Sequence, residues 1–196
     1  MTVFNIRAPW VRPMATATAL GLMAIGTLAG CSSSSTNATG SSPQSQSGGS
    51  AELDGASMPP WSAPADVPAR VASAGLDLGA MGMAEHYHPQ LQIIIAGKEV
   101  PVAAGIGVDP TTGAMSAVHT HESDGTIHIE ARKAGQAFTL GQVFTQWSVT
   151  LTSTQIGGVR AKAGQKVAVT SNGSAVPGDP MKLRLNANQK IVVQLQ

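Results

Sequence analysis

Two periods of apolar residues run through the C-terminal two-thirds of this chain, and the shorter one dominates. Leu91, Ile93 and Ile95 fall on alternate positions, the spacing of a strand with one buried face. Ala96-Gly97-Lys98 then turns the chain toward Val100 and Val102. Val118 to His121 and Thr126 to Glu130 read as strands around Ser123-Asp124-Gly125. Val149 and Leu151 alternate, as do Val167 and Val169. Asn172-Gly173 is a hairpin signal, and Met181 to Leu185 and Ile191 to Leu195 flank another at Asn186 to Gln189. The longer period appears once. Leu140, Val143, Phe144 and Trp147 sit at i, i+3, i+4 and i+7 behind a capping Thr139, which predicts one helix with those four side chains in the core. The expected fold is α+β and mostly β: a small single domain of antiparallel hairpins with one short helix, sandwich or barrel-like, over residues 69–196. A chain of that length closes one core and buries roughly two-thirds of its unfolded surface.

The N-terminal third follows neither period. Arg7 and Arg12 precede an uncharged run, Ala15 to Ala29, rich in Ala, Leu, Met and Gly. A positive start followed by a short apolar stretch is the pattern of a secretion signal. The run ends in Leu28-Ala29-Gly30-Cys31, with the only cysteine of the chain. This segment resembles the signal and lipobox of bacterial lipoproteins. The resemblance implies residues 1–30 as a cleaved signal peptide and Cys31 as the lipidated residue, anchored at the extracytoplasmic face of the cell membrane. More than one acyl chain would be needed for stable anchoring. Residues 31–68 read as a flexible tether. Nine of residues 32–50 are Ser, which leaves too little apolar surface to offset chain entropy. Pro59, Pro60, Pro64 and Pro68 then surround Trp61 in a stretch, residues 51–68, that is expected to be extended and could be partly docked.

Composition narrows the function. The chain carries 12 basic and 11 acidic residues, a net charge of +1, which offers no electrostatic basis for nucleic-acid binding. Loss of Arg7 and Arg12 with the signal leaves 10 bases against 11 acids, a net of −1. A single cysteine forms no internal disulfide or Cys-based zinc finger, and lipidation consumes its thiol. There is no G-x-S-x-G motif and no H-E-x-x-H helix.

The five histidines all lie between His86 and His128. His86 and His88 stand two apart, as do His119 and His121, and His128 stands two before Glu130. Residues two apart share a strand face. A two-residue Asp124-Gly125 turn would set His121 opposite His128 and His119 opposite Glu130, with cross-strand Cβ atoms roughly 5 Å apart. A four-residue loop from Glu122 to Gly125 would shift the pairing but keep all four on one face. Val118, Ile127 and Ile129 would then face the core. Several imidazoles together repel when protonated and need partners when neutral and buried. A transition metal satisfies both demands, since neutral imidazole is a ligand for zinc and copper. His119, His121, His128, Glu130, His86 and His88 are therefore the expected metal ligands. Glu130 could instead orient an imidazole or act as a base. Met81 and Met83, just upstream, are candidate soft ligands that would favour copper, and Met115 precedes the second segment. Ordinary core packing accounts for methionines equally well.

His86-x-His88, the His119-Thr120-His121 block with Gly125-x-Ile127-His128-Ile129-Glu130, and Phe138-Thr139-Leu140-Gly141-Gln142-x-Phe144 together resemble a poorly characterised group of His-rich bacterial envelope proteins. That resemblance implies a shared domain and no particular activity. The expected function is capture, buffering or transfer of copper or zinc by a non-enzymatic lipoprotein, handing its ion to an envelope partner if it transfers. Two alternatives stay open. One is a metal-dependent enzyme with Glu130 or Glu122 as base; the other is an interaction module whose histidines are structural.

Overall fold

The computed structural model describes residues 55–196. The signal segment 1–30, Cys31 and the tether up to residue 54 lie outside the described residues. In chain order the elements are helix α1 (Val67–Ser73), strands β1 (Leu78–Gly79), β2 (Glu85–Tyr87), β3 (Gln90–Ile95), β4 (Lys98–Val100), β5 (Met115–Ser116), β6 (Val118–His119) and β7 (His128–Ala131), and helix α2 (Leu140–Trp147). Strands β8 (Leu151–Thr152), β9 (Gln155–Ile156), β10 (Val159–Arg160), β11 (Val167–Ser171) and β12 (Ser174–Ala175) follow, then a 3₁₀ turn at Pro180–Lys182 and strand β13 (Lys190–Leu195). The fold is α+β and mostly β, and among the described residues no sheet closes into a barrel.

The largest sheet has the order β12-β11-β13-β3-β4. Its two short hairpins form where the turn residues direct them. Ala96-Gly97 and Asn172-Gly173 each adopt two successive positive φ angles, as a two-residue hairpin turn requires. One central pair departs from the antiparallel expectation, because β13 runs parallel to β3. The hairpin expected from Met181–Leu185 and Ile191–Leu195 does not form. The Asp179 carboxylate accepts the N–H of Met181, and Pro180 starts the 3₁₀ turn that follows. The segment beyond it bonds to the entry of α2 instead, through Leu140 N–H to Leu183 C=O and Leu185 N–H to Phe138 C=O.

Helix α2 begins as its sequence directs. The Thr139 hydroxyl accepts the Gln142 N–H, and the Gln142 side chain accepts the Thr139 N–H. Leu140, Val143, Phe144 and Trp147 are all buried, in one core with Ile93, Ile129, Phe138, Ile156, Ile191 and Val193.

The folded unit starts before residue 69, which shortens the expected tether. Trp61 is only 6% exposed and packs edge-on against Trp147 at a ring-centroid distance of 5.7 Å. Its Nε1–H donates to the Ser57 carbonyl. Gly55 and Ser57 carbonyls accept the N–H groups of Thr150 and Gly158, and Asp66 caps α1. The proline-rich composition reads as a linker, yet one large aromatic supplies enough apolar area to dock it. Among the described residues, no helix is long and apolar enough to cross a membrane.

Trp61→Ala should therefore cost about 3–5 kcal/mol of stability, measured as a lowered midpoint in urea unfolding. A tryptophan in a free tether would leave that midpoint unchanged.

Candidate metal centre

The site is built on the three-stranded sheet β2-β7-β6, with β7 in the middle. Its alternation decides everything above and below. Ile129 and Ala131 are fully buried, as is Ile127 just before the strand, while His128 and Glu130 point the other way. β6 sets His119 opposite His128 and Val118 opposite Ile129. β2 sets His86 opposite Glu130, and the same register carried two residues further brings His88 opposite His128. All five histidines and Glu130 thus reach one face.

The two-residue Asp124-Gly125 hairpin does not form; the register is the one a four-residue loop would give. Its cause lies in the neighbouring sheet. The Gly125 carbonyl accepts the Leu91 N–H of β3, and the Ile127 N–H donates to the Pro89 carbonyl. The Asp124 carboxylate accepts both the N–H and the hydroxyl of Thr126. Gly125 adopts a φ of +84°, and a Cβ there would strike the Leu91 carbonyl, so no other residue fits this approach. The connection is docked onto β3 rather than folded tightly over itself. On the other side, Thr120 is buried, and its hydroxyl donates to the Ala103 carbonyl and accepts the Ile106 N–H. Pinning Thr120 to one side turns His119 and His121 together to the other.

The imidazoles form a continuous cluster. Ring centroids lie 4.7 Å apart for His86–His88, 4.6 Å for His88–His128, 4.7 Å for His121–His128 and 4.7 Å for His119–His121. His119 stacks on His128 at 5.3 Å. Two triads have their ligand atoms mutually within 4.8 Å: His86, His88 and His128, and His119, His121 and His128. His128 belongs to both.

His119 is the buried anchor, 1% exposed. Its Nδ1 lies 2.9 Å from the Ser116 carbonyl. A carbonyl only accepts, so Nδ1 carries the proton and the lone pair is at Nε2. That Nε2 faces the Nε2 of His121 at 3.1 Å. Two imidazole ligands on a tetrahedral zinc stand about 3.3 Å apart, so the pair is close to ligating geometry already. Glu130, mostly buried, holds its Oε1 3.5 Å from Nε2 of His86.

Burial, opposed by the hydrogen bond to Ser116, pushes His119 down from 6.5 to about 4, and the neighbouring imidazoles add to the fall. His128 is also lowered, first by burial and then by His121 and His88, with Glu130 and Glu122 pulling the other way. Both rings are thereby kept neutral near pH 7, the form that ligates.

The remaining candidates are placed differently. Met83 is 83% exposed. Met81 lines a small cavity with Met115, Glu130 and Arg132 that no histidine lines. Glu122 is exposed in the loop. Sequence reasoning missed two supports. The Ser116 backbone carbonyl orients His119, and no side-chain pattern announces a carbonyl. Gln146 is buried and donates from Nε2 to the Val118 carbonyl, tying α2 to β6. It follows Val143 by three residues, at the edge of the apolar stripe, and that spacing was a readable signal.

Without metal, His119 makes the fold acid-labile. Its folded pKa lies below the unfolded value, so the unfolded chain binds the extra proton first as pH falls. Stability should drop between pH 6.5 and about 4 by roughly 3 kcal/mol and level off below. Thermal melts across that window should show the fall, and His119→Gln should flatten it.

In comparisons with family models, curated proteins and solved structures, no match to this chain is found, so the reading of the site rests on its own geometry.

Proposed function

We propose that this chain is an extracytoplasmic lipoprotein, anchored through Cys31, that binds copper or zinc at the five-histidine cluster for capture, buffering or transfer. The observation that carries the reading is the convergence of two complete imidazole triads on one sheet face. The donors that meet are all imidazoles, which suits zinc and copper(II). His119 is pre-set in the ligating tautomer by Ser116. A carbonyl in that place is the outer support that metal-bound imidazoles ordinarily have.

Exposure favours uptake and release over chemistry. His86, His88 and His121 are exposed, so an ion reaches them straight from solvent. A catalytic metal works best where water is excluded. The carboxylates lend the catalytic alternative no support, since Glu130 is engaged with His86 and Glu122 is exposed.

Full-length protein in detergent should bind zinc or copper(II) near stoichiometrically at pH 7.5, measured by calorimetric titration and elemental analysis. His121→Ala with His128→Ala should abolish binding. Affinity should fall as pH drops below about 6, because protons compete for the same lone pairs. Uptake no greater than background at neutral pH would sink the proposal. Separately, Cys31→Ser should move the protein from the membrane fraction to the soluble fraction of a bacterial host, read by immunoblot.

A further inference from the structure

We infer that the two triads are two stations for a single ion, an outer one for entry and exit and an inner one for retention, with His128 as the pivot between them. This rests on the metal-binding reading and adds to it a route and a stoichiometry.

The shared residue sets the stoichiometry. A neutral imidazole has one lone pair, so His128 serves one ion at a time. Both triads need it, since each holds only three histidines. Two divalent ions seated on either side of one ring would also repel each other at short range. Occupation of one station therefore empties the other.

The stations differ in kind. In the outer triad, His86 and His88 are exposed, and the Glu130 carboxylate lies 3.5 Å from His86 Nε2. In the inner triad, His119 is buried and its Nε2 is fixed by the Nδ1 bond to Ser116. A ligand that is already oriented and desolvated loses less freedom when it binds. The inner station is thus the tighter, and the outer one is the more accessible.

The spacing makes the passage short. His88 and His121 lie on opposite sides of His128, with centroid separations of 4.6 and 4.7 Å. Rotation about χ2 of a histidine crosses a broad, shallow profile. Turning the His128 ring carries its lone pair from one partner set toward the other. The ion can stay ligated throughout, which avoids returning to water between stations. The same path in reverse presents the ion on exposed histidines, where another protein's ligands can take it.

Zinc(II) is a suitable probe, with a chromophoric chelator in competition and stopped-flow mixing, on the full-length protein in detergent. The wild type should hold one zinc per chain. His86→Ala with His88→Ala should still hold one zinc, but uptake and chelator-driven removal should slow about tenfold or more. His121→Ala should weaken Kd roughly 10–100-fold while exchange stays at least as fast as in the wild type. His121 is exposed, so this variant removes an inner ligand without cutting a cavity into the core, and His119 keeps its Nδ1 bond to Ser116. Two zinc ions held independently by the wild type would overturn the single-ion route. So would wild-type exchange rates in the His86, His88 double variant, while leaving the metal-binding reading intact. Failure of the wild type to bind zinc or copper(II) at all would overturn both.

Discussion

Strand β7 must bury Ile129 and Ala131, with Ile127 beside them, and a strand that commits one face to the core commits the other to its neighbours. Every feature of the site depends on that constraint. His128 and Glu130 have no alternative orientation, because a one-residue slip would put an imidazole and a carboxylate among Phe138, Phe144 and Trp147. β2 and β6 then flank β7 in a register that sets His86 and His119 beside it. The hydrophobic effect acts on the underside of the sheet, and the polar cluster on top is its geometric consequence.

Gathering five imidazoles has a cost that the surroundings absorb. Burial lowers His119 and His128, so those two rings do not carry mutually repelling charges near neutrality. Ser116 gives the deepest ring a hydrogen bond that it would otherwise lack. Glu130 supplies negative charge next to His86, which favours any cation held nearby. A cluster arranged this way suits a ligand that is itself a cation. The core beneath, centred on Ile129, Phe144 and Trp147, makes the arrangement rigid without contributing to its chemistry.

Much of this was legible in the residues. The helix at Leu140–Trp147, with its Thr139 cap, follows from spacing alone. The Ala96-Gly97 and Asn172-Gly173 hairpins follow from turn chemistry. The inward orientation of Val118, Ile127 and Ile129 follows from alternation, and so does the shared face of His119 with His128. Other features were not local. The loop after His121 obeys hydrogen bonds from Pro89 and Leu91 rather than its own Asp-Gly turn. Pro180 and Asp179 wind up a segment whose apolar residues suggested a strand. Trp61 docks a stretch whose composition suggested a linker.

By itself the sequence determined which side chains could share a face, because strand alternation is a property of the backbone and survives any shift in register by two. It also determined that histidines rather than cysteines would carry any site chemistry in the folded domain. Only the tertiary structure decided that His86 and His88 join the other three, since β2 is brought to β7 by sheet pairing between segments some forty residues apart. It alone placed His128 in two triads at once and His119 in the interior. Those outcomes depend on packing and on hydrogen bonds across long chain separations, which no local pattern encodes.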